Sequence, residues 1–185
     1  MKKGVHKWSL FLDRDGVINE RIPNDYVKDW EEFKFLPEVL STLKLLNPLF
    51  EYIVVVTNQA GIGKDIMTEH DLSTIHKKLK KIIRKNGGKI HSIYHCPNKA
   101  EDIPNCRKPD TTLGKMAKRD FPKIDFSQTI MVGDSCSDIE FGKNLNMVTV
   151  LIEGKEKSNC SADYVCKNLK EFYRIFVNQI SEFQR

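Results

Sequence analysis

Four short polar segments of the sequence carry the side chains that phosphoryl transfer requires. They lie far apart along the chain, and they are Asp13-Arg14-Asp15-Gly16, Thr57-Asn58-Gln59, Arg107-Lys108-Pro109 and Gly133-Asp134, with Asp138 following four residues after Asp134. One Asp-x-Asp-Gly segment alone is weak evidence, because Asp and Gly are common turn residues. Four such segments in this order, each after a strand-like run or before a helix-like one, indicate a catalytic site.

The carboxylates among these residues predict a metal-assisted reaction. Carboxylates that face one another repel unless a cation lies between them, and Mg²⁺ prefers carboxylate and phosphate oxygens. Asp13 is the predicted nucleophile, which would form an aspartyl-phosphate. Asp15 is the predicted acid and base, which would protonate the leaving alcohol and then activate water. We expect Thr57, Asn58 and Lys108 to bind the phosphoryl oxygens.

The elements that must position these segments alternate between strand and helix. Strands are predicted over Val5–Leu12, Tyr52–Val56, Lys89–His95, Thr129–Val132, Met147–Ile152 and Asp163–Val165. Helices are predicted over Pro37–Leu46, Thr68–Asn86, Asp110–Phe121, Ser137–Leu145 and Leu169–Phe183. This alternation predicts a Rossmann-like, three-layer α/β fold with a parallel sheet. Ligands bind beyond the carboxyl ends of such strands, which is where the polar segments fall.

Length and composition predict one domain over residues 1–185 with a formal net charge of +5. The charge suits a small anionic substrate. The basic stretch over residues 77–85 has no interleaved aromatic residue for base stacking, so we expect a solvated helix face and no nucleic-acid partner. Apolar runs are far shorter than the ~20 residues that a bilayer requires, so we expect no membrane partner and a cytoplasmic location. Five cysteines do not indicate a disulfide framework.

The four segments resemble the motifs of the haloacid dehalogenase superfamily of phosphatases, and the resemblance covers nearly the whole chain. It implies a Rossmann-like sheet and an aspartyl-phosphate intermediate. It also implies a Mg²⁺ ion held by Asp13, the main-chain carbonyl of Asp15 and Asp134. Asp138 is expected beside these ligands and outside the ligand set.

Within the superfamily, the chain is more similar to the heptose 1,7-bisphosphate phosphatases and the related histidinol-phosphate phosphatases. The stretches that carry this likeness are Phe11–Asn19, Tyr26-Val27, Thr57–Ile62 and Cys106–Pro109. By position, the likeness implies that Lys108 stabilises the phosphoryl group and that Arg107 recognises the substrate. The segment between Asp15 and the second strand is too short for a separate cap domain. Asn19 and Tyr26 in that segment are candidate substrate contacts, although Tyr26 could instead pack beside Trp30 and Phe33.

The sequence departs from this group at its zinc loop. The group carries Cys-x-His, a spacer and Cys-x-Cys before Arg-Lys-Pro, whereas this chain has Cys96-Pro97-Asn98 and Pro104-Asn105-Cys106. Cys96 and Cys106 supply only two of the four ligands that a structural zinc site needs, so we expect no zinc. The other three cysteines are expected to be small buried apolar residues.

Taken with the resemblance, the motifs predict a Mg²⁺-dependent phosphatase that acts on a small phosphorylated metabolite. The expected substrate is D-glycero-D-manno-heptose 1,7-bisphosphate, with loss of its 7-phosphate, and the expected state is a monomer. Histidinol phosphate and a polynucleotide 3′-phosphate are the alternative substrates. A fold without activity that binds a phosphorylated ligand is a third alternative, which the complete set of catalytic residues disfavours.

Overall fold

A six-stranded parallel sheet forms the centre of the fold. The computed structural model describes residues 8–153 and 160–183. The strands in chain order are β1 (Ser9–Leu12), β2 (Tyr52–Asn58), β3 (Ser92–Cys96), β4 (Thr129–Gly133), β5 (Val148–Ile152) and β6 (Tyr164–Cys166). They lie side by side in the order β3-β2-β1-β4-β5-β6. The predicted α/β fold with a parallel sheet is therefore confirmed.

In the described part of the chain, five α-helices cover the two faces of this sheet. They are α1 (Val39–Leu46), α2 (Glu69–Lys85), α3 (Thr112–Asp120), α4 (Cys136–Asn144) and α5 (Leu169–Phe183). Successive side chains of a strand point to opposite faces, so Leu10 and Leu12 of β1 pack in a cluster with α1, α2 and α5. Phe11 packs in a second cluster with α3 and α4. These two apolar layers confirm the predicted three-layer arrangement.

The helix and strand boundaries agree with the predicted ones to within a few residues. Helix α2 begins after Thr68, whose hydroxyl accepts from the Asp71 amide (3.2 Å) while the Asp71 carboxylate accepts from the Thr68 amide (2.9 Å). Gly87 lies just past the last turn of this helix with a φ of 84°, a conformation that suits glycine. The first three residues of the predicted first strand, 5–7, lie outside the described residues.

The central strands β1, β2 and β4 bring the polar segments to one edge of the sheet. In their register Leu12 lies between Val55 and Val132, so the residues that follow these strands must meet. A loop over residues 13–38 leads from β1 to α1, and within 8–153 and 160–183 no second sheet or helical unit covers this edge. In the same ranges, every helix is too short or too polar to cross a bilayer.

The cysteine pairing differs from what the sequence predicted. Disulfides join Cys96 to Cys106 and Cys136 to Cys160, and Cys166 is a free, buried thiol. The prediction that these residues form no disulfides is therefore wrong, and only Cys166 is the buried apolar cysteine expected. An odd number of cysteines shows only that at least one cannot pair within the chain. The cysteines of each pair are brought together by the fold, which the sequence pattern alone does not show.

We expect a thiol count to reflect this pairing. In denaturant without reductant, one of the five cysteines should react with a thiol reagent, and all five should react after reduction. Cys166→Ser should remove the signal seen before reduction. A count of five free thiols in freshly purified, unreduced protein would contradict the pairing.

Replacing Phe176 of α5 tests whether the stability of the core can be lowered without changing the polar edge of the sheet. Its ring stacks on Phe50 with 4.7 Å between centroids and it is buried. We expect Phe176→Ala to lower the free energy of unfolding by about 3–5 kcal/mol because it leaves a cavity. The activity that the sequence predicts should be unchanged per folded molecule, since Phe176 does not line the pocket described below.

Urea unfolding and activity assays check this expectation, with Val177→Ala as the matched control. Val177 lies next along the same helix but is 39% exposed, so its loss should cost less than about 1 kcal/mol. Similar costs for the two variants, or an activity loss confined to Phe176→Ala, would contradict the separation.

Candidate active site

A buried lysine holds the centre of the site together. The Nζ of Lys108 lies 2.7 Å from Asp13 Oδ1 and 2.5 Å from Asp138 Oδ1, and it also donates to the Val56 carbonyl at 2.7 Å. Burial alone would lower the pKa of Lys108, but the charges of Asp13 and Asp138 outweigh it and raise that pKa. Lys108 is therefore a positively charged group between two carboxylates, and it occupies one of the two oxygens of Asp13.

Asn58 fixes the main chain of this lysine. Its side-chain carbonyl accepts from the Lys108 amide (2.9 Å), and its amide donates to the Lys108 carbonyl (3.2 Å). Asn58 also lines the pocket, so the predicted contact with phosphate stays open. The structure adds a role that the sequence did not indicate, which is to couple the end of β2 to the segment that carries Lys108.

Asp138 is oriented by the first turn of α4. Its Oδ2 accepts from the amide and the hydroxyl of Ser135, at 3.1 and 2.6 Å, while its Oδ1 accepts from Lys108. The space is so tight that a Cβ at Gly133 would collide with the Asp138 side chain. Both oxygens of Asp138 are thus engaged, which supports its predicted place beside the metal ligands and outside their set.

The positive charges near Asp13 and Asp134 do not offset the burial of these carboxylates and the repulsion from their acidic neighbours. Burial, with repulsion from Asp138, Asp134 and Asp15, raises the pKa of Asp13 to about 8 despite the Lys108 charge. Burial and Asp138 likewise raise the pKa of Asp134 to about 6, against the opposing effect of Arg21, which donates to Asp134 at 3.3 Å. Raised carboxylate pKa values of this kind mark a site built for a further cation.

The donor set fits Mg²⁺. Oxygen atoms of Asp13, Asp134 and Asp138 lie within 4.8 Å of one another. Asp13 and Asp134 offer the hard oxygens that Mg²⁺ prefers, while Asp138 stays bound to Lys108 and Ser135. Next to them, Gly16 has a φ of 89°, and any Cβ there would strike the Asp134 carboxylate. Glycine is therefore required at that turn for Asp134 to approach the Asp13–Asp15 segment.

Asp15 is held by donors on several sides. The Nη2 of Arg14 donates to both of its oxygens at 3.0 and 2.9 Å, Asn19 donates to Oδ1 at 2.8 Å, and Gln59 donates to Oδ2 at 2.8 Å. Burial acts to raise the pKa of Asp15, but the Arg14 charge and these hydrogen bonds together lower it. Gln59 also donates to the Thr57 hydroxyl at 2.8 Å, which ties two catalytic side chains together.

Arg14 and Gln59 both donate to Asp15, although the sequence indicated no role for either. Both occur inside the motifs, next to Asp15 or two residues after Thr57, and that adjacency was the available signal. Asn19 was a candidate substrate contact. It is fully buried and does not line the pocket, so its position favours a role in holding Asp15. Direct contact with substrate stays an untested prediction.

The catalytic groups face one pocket of about 460 Å³. Its lining includes Asp13, Asp15, Thr57, Lys108, Asp134 and Asp138, together with Tyr26, Asn58 and Arg107. Arg21 and Lys64 add positive charge at the same pocket.

Tyr26 lines this pocket and also packs against the core cluster that contains Phe33. Trp30 and Phe33 stack on each other, with 4.9 Å between centroids. On its other side, Tyr26 lies under Lys64, whose Nζ is 5.5 Å from the centre of the tyrosine ring. Arg107 lines the pocket while its guanidinium donates to the Asn98 carbonyl at 3.3 Å. Both residues are therefore placed where a substrate would reach them.

The loop that precedes Lys108 is closed by the Cys96–Cys106 disulfide. Asn98, at one of the zinc-ligand positions of the related group, accepts from the Cys106 amide at 3.3 Å through its side-chain oxygen. The sulfurs that could have bound a metal are thus joined to each other. The expected lack of zinc in the purified protein stays a prediction, which metal analysis can test.

Comparison with known proteins relates this arrangement to phosphatases. The sequence model of the family described as "Polynucleotide kinase 3 phosphatase" matches residues 10–173. The D-glycero-alpha-D-manno-heptose-1,7-bisphosphate 7-phosphatase of Mycobacterium bovis is 41% identical over 144 residues, 78% of this chain and 76% of that protein. The beta-heptose counterpart of Neisseria meningitidis serogroup A is 34% identical over 131 residues, 71% and 69% of the two chains.

A solved structure agrees with these sequences. The D,D-heptose 1,7-bisphosphate phosphatase of B. bronchiseptica, complexed with magnesium and phosphate, superposes with a TM-score of 0.82 at 25% identity, covering 93% of this chain and 99% of that one. The fold and the catalytic edge thus define a phosphatase of the haloacid dehalogenase superfamily. Within that superfamily, the chain belongs to the polynucleotide kinase 3 phosphatase family, whose model covers nearly its whole length.

The raised carboxylate pKa values predict that Mg²⁺ and protons compete for the site. Without metal, burial and mutual repulsion raise the pKa of Asp13 to about 8 and that of Asp134 to about 6, so near pH 7 this group of carboxylates holds about one proton. Binding should therefore release about one proton per ion, and the affinity should rise between pH 6 and pH 8. Titration calorimetry in buffers of different ionisation enthalpy measures this release. Asp134→Asn should weaken binding strongly, and an affinity that does not change over this pH range would contradict the prediction.

Proposed function

We propose that this phosphatase removes the 7-phosphate of D-glycero-D-manno-heptose 1,7-bisphosphate. The observation that carries the proposal is the 41% identity to a heptose-1,7-bisphosphate 7-phosphatase over most of both chains. A full set of phosphoryl-transfer groups at the pocket supports it. The pocket volume of about 460 Å³ suits a sugar phosphate, and Arg21, Lys64 and Arg107 supply charge for an anionic substrate.

In the proposed reaction Asp13 is the nucleophile. Its free carboxylate oxygen forms a bond to phosphorus, and the bond from phosphorus to the C7 oxygen breaks. Asp15 gives its proton to that oxygen, which leaves as the alcohol. Asp15 then takes a proton from water, which attacks the phosphorus of the aspartyl-phosphate and releases phosphate and the Asp13 carboxylate. Lys108 and Thr57 contact the phosphoryl oxygens and stabilise the negative charge on them.

The surroundings of Asp15 suit the second step in particular. Its donors lower its pKa before substrate binds, which favours the carboxylate that removes a proton from water. A phosphate dianion beside Asp15 opposes that shift, because a nearby negative charge favours the protonated form. A Mg²⁺ ion held by Asp13, Asp134 and the main-chain carbonyl of Asp15 would neutralise the negative charge that the phosphate brings.

Two other substrates remain candidates. Histidinol phosphate is the substrate of the related group to which the motifs are also similar. A polynucleotide 3′-phosphate is favoured by one specific observation, the name of the family model that matches residues 10–173. Binding to such a polynucleotide should weaken steeply as salt rises, and a flat salt response would count against it.

The deciding experiment measures phosphate release from heptose 1,7-bisphosphate, histidinol phosphate and a 3′-phosphorylated oligonucleotide with Mg²⁺ present. We expect kcat/KM for the heptose to exceed the others by a factor of about 100 or more, which is about 2.7 kcal/mol of discrimination. Equal and low rates on all three compounds would rule out heptose 1,7-bisphosphate as the substrate. They would leave the proposed phosphatase reaction in place.

Asp13→Asn is the control for this assay. We expect turnover to fall by about 10³-fold or more because the nucleophile is lost. The variant should stay folded, because Lys108 keeps its ion pair with Asp138 and the neutral amide relieves repulsion among the other carboxylates. Activity close to that of the natural protein in Asp13→Asn would overturn the assignment of the nucleophile.

Two further properties stay proposals. Alpha-heptose and beta-heptose relatives both match the chain, so we assign neither anomer as the substrate. We propose a monomer, which light scattering can test. We retain the cytoplasmic location as a hypothesis, although two disulfides do not favour it because they are rare in reducing compartments. Cell fractionation tests it.

A further inference from the structure

The most deeply buried charge of the site belongs to Arg14, which the proposed reaction does not use. Its side chain is fully buried, and a buried charge is costly unless every polar group around it is arranged to compensate. Its Nη2 donates to both oxygens of Asp15 and also to Gln59 Oε1 at 3.2 Å. The orientation of Asp15 thus depends on where this guanidinium is held.

His76 holds the other end of the guanidinium. The Nη1 of Arg14 lies 3.2 Å from Nε2 of His76, which belongs to α2, far from the motifs in sequence. Because Arg14 can only donate, Nε2 must carry no proton and must act as the acceptor. Burial, followed by the charges of Arg14 and His95, lowers the pKa of His76 to about 3, which keeps the ring neutral.

The surroundings of His76 keep the ring in place. The ring of His95 lies edge-on to it with 6.0 Å between centroids, and His95 is itself paired with Glu69 at 2.9 Å near the surface. Leu72, Ile75 and Leu79 bury the apolar face of the same helix. His76 is thus anchored by a packed helix and delivers one neutral acceptor to Arg14.

We infer that His76 is a positioning residue for Asp15, acting through Arg14. With Nη1 fixed by His76, Nη2 points at both oxygens of Asp15, and Asp15 keeps the orientation in which it faces the pocket. Without that acceptor, the guanidinium gains freedom to turn, and the acid that protonates the leaving oxygen is misplaced. This inference rests on the proposed reaction, in which Asp15 is that acid.

The test compares leaving groups. An alkoxide needs protonation as it leaves, whereas p-nitrophenolate is stable enough to leave without it. The value of kcat/KM reports binding and the steps up to release of the leaving group, so it excludes hydrolysis of the aspartyl-phosphate. We expect His76→Ala to lower kcat/KM about tenfold or more on heptose 1,7-bisphosphate and less than about threefold on p-nitrophenyl phosphate.

Two further variants make the result specific. His76→Gln keeps a neutral acceptor and should recover most of the loss on the sugar phosphate. Lys77→Ala, an exposed neighbour on the same helix, should leave both substrates unaffected. Thermal unfolding of each variant reports whether it is folded. If His76→Ala is not folded, His76→Phe, which keeps a ring but offers no acceptor to Arg14, carries the test.

Three results would overturn the inference: equal losses on the two substrates, no loss on either, or no recovery in His76→Gln. Failure of the proposed function is a separate outcome, because it would appear in the natural protein as a lack of heptose hydrolysis. In that case the same leaving-group comparison is made with whichever alkyl phosphate the natural protein hydrolyses.

Discussion

The ion pairs of Lys108 with Asp13 and Asp138 are the interaction on which the rest of the site depends. A lysine buried this deeply needs a carboxylate beside it, since without one its charge would be uncompensated away from water. Lys108 comes from the loop before α3, Asp13 from the end of β1 and Asp138 from α4. The interaction therefore requires these three parts of the fold to be correctly placed at once, and it links folding to catalytic competence.

The parallel sheet explains why a site of this charge density can exist. Adjacent parallel strands end at the same edge, so β1, β2 and β4 present Asp13, Thr57 and Asp134 to one point without long loops. Two apolar layers exclude water from beneath that point. Electrostatic interactions are stronger in such surroundings, which raises the carboxylate pKa values and at the same time makes each donor more effective on a phosphoryl group.

The sequence was sufficient to predict the helices, the strands and the residues at their ends, because these depend on periodicity and chain order. The runs of β-branched residues in β2 and the amphipathic pattern of α2 predicted their elements, and the ends of these elements located Asp13, Asp15 and Lys108. It was insufficient for contacts between segments distant in the chain. Nothing local to Arg14 indicates His76 as its partner, and nothing local to Asn19 shows its amide turned towards Asp15. The cysteine pairs were missed for the same reason, because loop closure is a property of the folded chain.

The two hydrogen bonds between Asn58 and the main chain of Lys108 have a consequence for how this loop can diversify. They fasten the lysine to β2 directly, so its position does not depend on the shape of residues 97–105. Residues 97–105 precede this anchor. This part of the loop can therefore change in length, or replace a metal with a disulfide, while Lys108 keeps its position. Arg107 lies on the same loop and lines the pocket. Changes in this loop can therefore alter which substrate is preferred while the residues that hydrolyse the phosphate ester stay in place.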